Sequence, residues 1–191
     1  MKKIIWSLIL SSFSFWAVAQ KSERVTGVFQ TGKDFVEDKL SFKVDCNSGN
    51  DKIRLNSFFN RNYITVKLND SNIIVQKTKL WGYQTCGKSI YRFPGKKKLL
   101  LLNRGESILI FKLILARRAV LGRTNVTPFY FSKGAEGELQ KLTIKNLKQA
   151  FDGNERFKAA IDKDFKYNTD LAAVDECAKM YKINRLLQET Q

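Results

Sequence analysis

Beyond the turn Gly134-Ala135-Glu136-Gly137-Glu138 the apolar residues of this chain change their period. Upstream they alternate with polar ones, as in Leu40, Phe42 and Val44 against Ser41, Lys43 and Asp45, or in YITVKL from Tyr63 to Leu68. A period of two belongs to strands with one face buried. Downstream the period becomes that of a helix. Ile144, Leu147 and Phe151 share one face, Phe157, Ile161 and Phe165 a second, and Leu171, Val174, Ala178 and Tyr181 a third, with Cys177 beside it. Thr143 and Asn154 are placed to cap the first two helices, Gly153 to end the first, and Thr169 or Asp170 to cap the third. Strands followed by helices predict an α+β fold. We expect one domain over residues 20–191, with an antiparallel, twisted or barrel-like β region (20–133) and a three-helix C-terminal segment (134–191) packed on it. Helices this short are marginal alone, so the sheet must cover them.

Turn chemistry divides the β region. Val25 to Gln30 is a short apolar run fit for an edge strand, and Thr31 can cap a single helical turn through Asp34-Phe35-Val36. The polar turn from Cys46 to Asp51 follows Asp45, and Asp45 with Asn47 alternates as calcium ligands would; positions 50 and 56 hold Asn where such a loop needs Gly and a bidentate Glu. It reads as an Asn, Asp and Gly turn. Lys52 to Leu55 is a short strand, and Tyr63 to Leu68 with Asn72 to Gln76 forms a hairpin about Asn69-Asp70-Ser71. Leu80 to Phe93, LWGYQTCGKSIYRF, is a second hairpin with a Gly87-containing turn. Its Trp81, Tyr83 and Tyr91 are expected as cross-strand core partners more than as an exposed platform. Leu99 to Leu102 and Ile108 to Leu115 are almost wholly apolar, so both of their faces should be covered, as in central strands. Pro128 suits Val126 to Ser132 to an edge.

The chain opens with Lys2 and Lys3, an apolar stretch from Ile4 to Trp16, and Ala17-Val18-Ala19 as a small-residue cleavage motif. These are the parts of a secretory signal peptide over residues 1–19, and the apolar stretch is short for a membrane span. Export to an oxidising compartment, periplasmic or extracellular, is the expectation, with no transmembrane span after cleavage. Three cysteines then allow one bridge and one free thiol, the alternative being three unpaired thiols. Cys46 with Cys86 is the favoured pair, because both lie near turns of the β region whereas Cys177 falls on a predicted helix.

The chain contains no histidine. That removes the commonest general base, the Ser-His-Asp and Cys-His arrangements, and most zinc and copper sites. Neither a G-x-S-x-G elbow, a phosphate-binding loop nor a C-x-x-C motif is present, so no catalytic residue, metal or cofactor is assigned. Glu136 and Glu138 are the nearest carboxylate pair, but solvated acids in a Gly-rich turn are ordinary; a carboxylate-dependent hydrolase is the weakest of the functional readings. Asp162 and Asp164 read as solvent-facing partners of Lys158, Lys163 and Lys166.

Charge is the stronger signal. Lys and Arg number 34 against 18 Asp and Glu, a net charge of +16. Such an excess attracts polyanions through steering and counterion release. The candidate anion-binding residues are Lys96, Lys97 and Lys98 after Pro94-Gly95, Arg117, Arg118 and Arg123 beyond the apolar strands, and Lys145 and Lys148 on the first helix. The partner would be an acidic glycan, a lipid headgroup or nucleic acid. An envelope protein docking through the apolar strands or the helices is the alternative. The runs GVF, DF and KLSF near the start, WGYQTCGKSIYRF, FYFSKGAEGELQKLTIKNLKQAF and LAAVDECAKMYKINRLL resemble uncharacterised exported proteins of Bacteroidetes-type bacteria. That resemblance implies a secreted or envelope protein and carries over no catalytic residue.

Overall fold

The computed structural model describes residues 24–56, 61–95, 97–114 and 127–191. The expected signal peptide, Lys96 and the connection bearing Arg117, Arg118 and Arg123 lie outside them. The described strands are β1 (Val25–Phe29), β2 (Ser41–Asp45), β3 (Lys52–Arg54), β4 (Tyr63–Leu68), β5 (Ser71–Gln76), β6 (Gly82–Gln84), β7 (Ile90–Arg92), β8 (Leu99–Leu101), β9 (Ile108–Leu113), β10 (Phe129–Lys133), β11 (Gln140–Lys141), β12 (Val174–Asp175) and β13 (Met180–Tyr181). The helices are α1 (Gly32–Val36), α2 (Ile144–Ala150), α3 (Glu155–Asp164) and α4 (Lys182–Glu189). Eight strands make one antiparallel sheet in the order β2-β1-β6-β7-β8-β9-β10-β11; β3, β4 and β5 make a second, and β12 pairs with β13. The chain is α+β as the change of period requires.

The large sheet coils without closing, since β2 and β11 remain its edges. Trp81, before β6, donates its indole N–H to Ala135 O beyond β10 at 2.7 Å, a reach across several strands that a flat sheet could not make. The inner face gathers Phe29, Trp81, Ile90, Leu99, Leu101 and Phe111, with Phe35 of α1 stacked on Trp81 at 4.0 Å between centroids. The outer face is covered in two parts. Ile64 and Val66 of the small sheet pack on Val28, Val44, Tyr83 and Phe93, while helical Leu147, Phe157, Ile161 and Leu187 pack on Ile108, Ile110 and Phe131. This division explains the apolar run of β9: Ile108 and Ile110 meet the helices, and Leu109 and Phe111 meet the inner core, all at most 2% exposed.

Buried asparagines join the C-terminal helices to the sheet. Leu102, just past β8, still donates its N–H to Ile110 O at 2.9 Å, but the chain turns away at Asn103 and leaves the N–H of Ile110 and both backbone groups of Ile108 without a strand partner. Asn103 accepts from Ile110 N at 2.6 Å and donates to Ile108 O at 2.8 Å. Asn184 of α4 accepts from Ile108 N at 2.7 Å and donates to the same carbonyl at 2.9 Å. Side-chain amides thus extend a ladder that backbone has abandoned.

Local expectations hold where short-range chemistry decides. Thr31 and Asp34 form a reciprocal capping box on α1, and Thr143 and Asn154 cap α2 and α3. Asn69 and Asp70 both take positive φ in the β4–β5 turn. Four expectations require correction. β1 is no edge strand: it lies between β2 and β6, because Val28 and Phe29 are buried on opposite faces. β10 is internal as well, with Pro128 just before it and β11 outside it. In the Leu80–Phe93 hairpin the left-handed residue is Lys88, with φ 62°, while Gly87 has no positive φ. The third helix starts later than its apolar spacing suggested. Leu171 ends up in a 3-10 turn (Asn168–Ala172), Val174 and Tyr181 in the β12–β13 ribbon, and Cys177 in the exposed turn between its strands. Asp175 accepts from the N–H groups of Cys177 and Ala178, both at 3.0 Å, and so closes a tight turn where a helix would continue.

Candidate functional site

Among the described residues, the Leu80–Phe93 hairpin and the connection that follows it hold charges that are buried or laid over aromatic rings. Cys86 in the hairpin turn is bonded to Cys46 after β2, with Cα atoms 5.8 Å apart, so the hairpin is tied to the sheet edge. Past β7 the chain turns through Pro94-Gly95, with Lys97 N donating to Pro94 O, and enters β8. Strand alternation then sends Lys97 and Lys98 to opposite faces. Lys97 donates to the Tyr130 hydroxyl at 3.0 Å and lies over that ring; Lys98 lies 4.0 Å from the centroid of Tyr91.

Lys77 stands beside Lys98 beneath the small sheet. It is 7% exposed, donates to Arg61 O at 2.7 Å and lies over the Phe93 ring. Burial lowers its pKa, and the charge of Lys98 lowers it further. Lys98 is itself shifted down by burial. Lys112 faces outward in the row Tyr91–Leu100–Lys112–Phe129 and is exposed, adding charge to the same side.

On the inner side, Arg92 extends over Trp81 at 4.8 Å and Phe111 at 5.8 Å. Gly82 beside it lets the β6 and β7 backbones approach closely, because a Cβ there would fall 2.8 Å from Tyr91 O. One guanidinium nitrogen, Nη1, is buried with no hydrogen bond. Burial pulls the Arg92 pKa down and the charge of Glu136 opposes it, yet a guanidinium stays protonated in protein surroundings. Among the described residues none of Lys77, Arg92, Lys97 and Lys98 forms an ion pair with a carboxylate. Aromatic faces offset part of the desolvation of Lys77, Arg92 and Lys98, at about 0.5–2 kcal/mol each.

The sequence candidates are therefore divided by the fold. Lys97 and Lys98 belong to this rim. Lys148 is engaged by Asp162 at 2.6 Å, and Lys145 faces solvent on α2. Lys96, Arg117, Arg118 and Arg123 are outside the described residues; Ile114, the last described residue before the three arginines, donates its N–H to Lys98 O. The pairing foreseen for the acids on α3 is corrected: Asp162 takes Lys148 from α2 and Lys158 takes Asp152, both across the α2–α3 corner, while Lys158 also pairs with Glu155 one turn back on its own helix. Glu136 and Glu138 are both exposed. Asp45 Oδ1 accepts from Asn47 N and Nδ2, an Asx turn. Trp81 and Tyr83 are in the core.

Sequence reasoning passed over Lys77, Arg92 and Lys112. Arg92 carried a readable signal, since alternation places it on the face of Ile90, inside an aromatic hairpin. Lys112 showed itself only as a break in an apolar run, and Lys77 gave none. Among the described residues no group of three or more His, Cys, Asp or Glu is gathered for a metal, and no helix is long and apolar enough to cross a membrane. Comparison with family models, with characterised proteins and with solved structures found no match to this chain.

Proposed function

We propose that the chain is an exported, non-enzymatic binding module of the cell envelope, periplasmic or secreted, whose basic rim engages an acidic glycan, a lipid headgroup or nucleic acid. One observation carries the reading: Lys77 and Lys98 are desolvated and mutually repelling, with no carboxylate paired to either among the described residues. Structural ion pairs would have relieved that cost within the chain, as they do for Lys148, Lys158 and Arg185 on the helices. An anion from outside relieves it on binding, and does so more strongly at a partly buried site than at exposed lysines. Lys97, Arg92 and Lys112 extend the same potential to both faces of the sheet. The export part of the reading rests on the leader and is supported by the Cys46–Cys86 bridge, which an oxidising compartment favours.

The test is retention of the oxidised protein on immobilised heparin, used as a generic polyanion. We expect retention at low salt and steep loss as salt rises. Passage through the column at low salt would refute the reading. For the docking alternative, through the apolar strands or the helices, the Ile108–Phe111 side chains of β9 are buried in the chain's own core, which leaves the helices as its surface.

A further inference from the structure

The turn that carries Cys86 forms one wall of a cavity of about 530 Å³ at the end of β7 and β8 opposite to the basic rim. The two strands pair only through Tyr91–Leu100 and Arg92–Leu99, and part beyond Ile90 and Leu101. The volume is that of small-ligand sites. Its polar wall includes Gln84, which is 8% exposed and whose side-chain amide makes no hydrogen bond among the described residues. That amide opens onto the cavity, where it can donate to and accept from a ligand's polar groups. Lys88 and Ser89 lie beside it, held by the disulfide-tied turn. Opposite them Arg104 donates through Nη2 to Phe35 O and to Asp38, both at 2.9 Å, which fixes the guanidinium and leaves its other donors available. Two cations against the single carboxylate of Asp38 make the cavity positive, while Ile90 and Leu101 supply an apolar wall.

We propose that this cavity binds a small carboxylate that also carries an amide and an apolar side chain, of the class of N-acylated apolar amino acids. The carboxylate meets Lys88 and Arg104, the amide pairs with the Gln84 amide in both directions, and the apolar group lies on Ile90 and Leu101. No bond is made or broken. The site is separate from the rim of Lys77 and Lys98, and does not depend on polyanion binding there.

The experiment titrates N-acetyl-L-leucine into the oxidised protein, followed by calorimetry and by amide chemical shifts. We expect saturable binding with the largest shifts in residues 84–90 and 101–104, and binding about tenfold weaker for N-acetyl-L-leucinamide, which lacks the charge. Gln84→Leu and the exposed Lys88→Gln should each weaken it by about tenfold or more, whereas Lys98→Met should leave it unchanged. Absence of saturable binding up to about 50 mM, equal affinity for acid and amide, or unchanged affinity in Lys88→Gln would overturn the proposal.

Discussion

Replacing Asn184 by Leu tests whether side-chain amides hold the C-terminal helices to the sheet. The substitution is nearly isosteric and the site is 1% exposed, so the change is mainly one of hydrogen bonding. It removes the acceptor for Ile108 N and one of two donors to Ile108 O, while Asn103 still serves the carbonyl. One buried N–H is orphaned, costing about 1–3 kcal/mol, and a second bond to an already served carbonyl adds about 0.5–1 kcal/mol. The total of about 1.5–4 kcal/mol should lower the melting temperature by roughly 3–16 °C for a chain of this size. Asn103→Leu orphans Ile110 N in the same way. Only the double variant strips Ile108 O of both donors, so its loss should exceed the sum of the single losses by about 1–3 kcal/mol. Urea unfolding of all four proteins measures this. A single-variant loss below about 0.5 kcal/mol, or strict additivity, would refute the reasoning.

Three further outcomes follow from named contacts. Opening the Cys46–Cys86 bridge in a Cys46→Ser, Cys86→Ser variant releases a separation of 40 residues and should cost about 4 kcal/mol by chain entropy; an unchanged denaturation midpoint, or three reactive thiols in the oxidised wild type, would contradict it. Gly137→Ala drives a methyl into the Lys133 backbone and should destabilise by about 1–3 kcal/mol, read as a shift of the urea midpoint. The folded pKa of Lys77 is lowered, so its charged form is disfavoured in the folded state below that pKa, and the penalty fades as pH rises through the lowered value toward 10.5. Lys77→Met removes the penalty along with the bond to Arg61 O, so its stability relative to wild type should decline across that alkaline window; a relative stability independent of pH would refute the shift.

What the sequence disclosed was set by range. Caps at Thr31, Thr143 and Asn154, the Asn69-Asp70 turn and the bridge between two turn cysteines depend on neighbours a few residues away or on simple arithmetic, and they were legible. The place of β1 was not, because its run of five residues looks the same whether one edge or both are paired; only the later β6 fills the second side. The last helix misled for a physical reason: Leu171, Val174, Ala178 and Tyr181 keep helical spacing, yet Asp175 captures the N–H groups that a helix would use, and Val174 stays 42% exposed. Of the candidate site, the lysine pair after Pro94-Gly95 was visible as composition. That Lys77 joins it, that Arg92 turns inward over Trp81, and that Gln84 faces a cavity all depend on tertiary placement.

The most direct measurement of the central claim is the salt dependence of heparin affinity for wild type and for Lys77→Met, Lys98→Met and Lys145→Met. The basic-rim account predicts that log affinity falls linearly with log salt, that each rim substitution weakens binding and lowers the slope by about one, and that the helix-borne Lys145 changes neither by a comparable amount. Equal losses from Lys145→Met and the rim variants would show nonspecific attraction to net charge and would contradict a site at the rim.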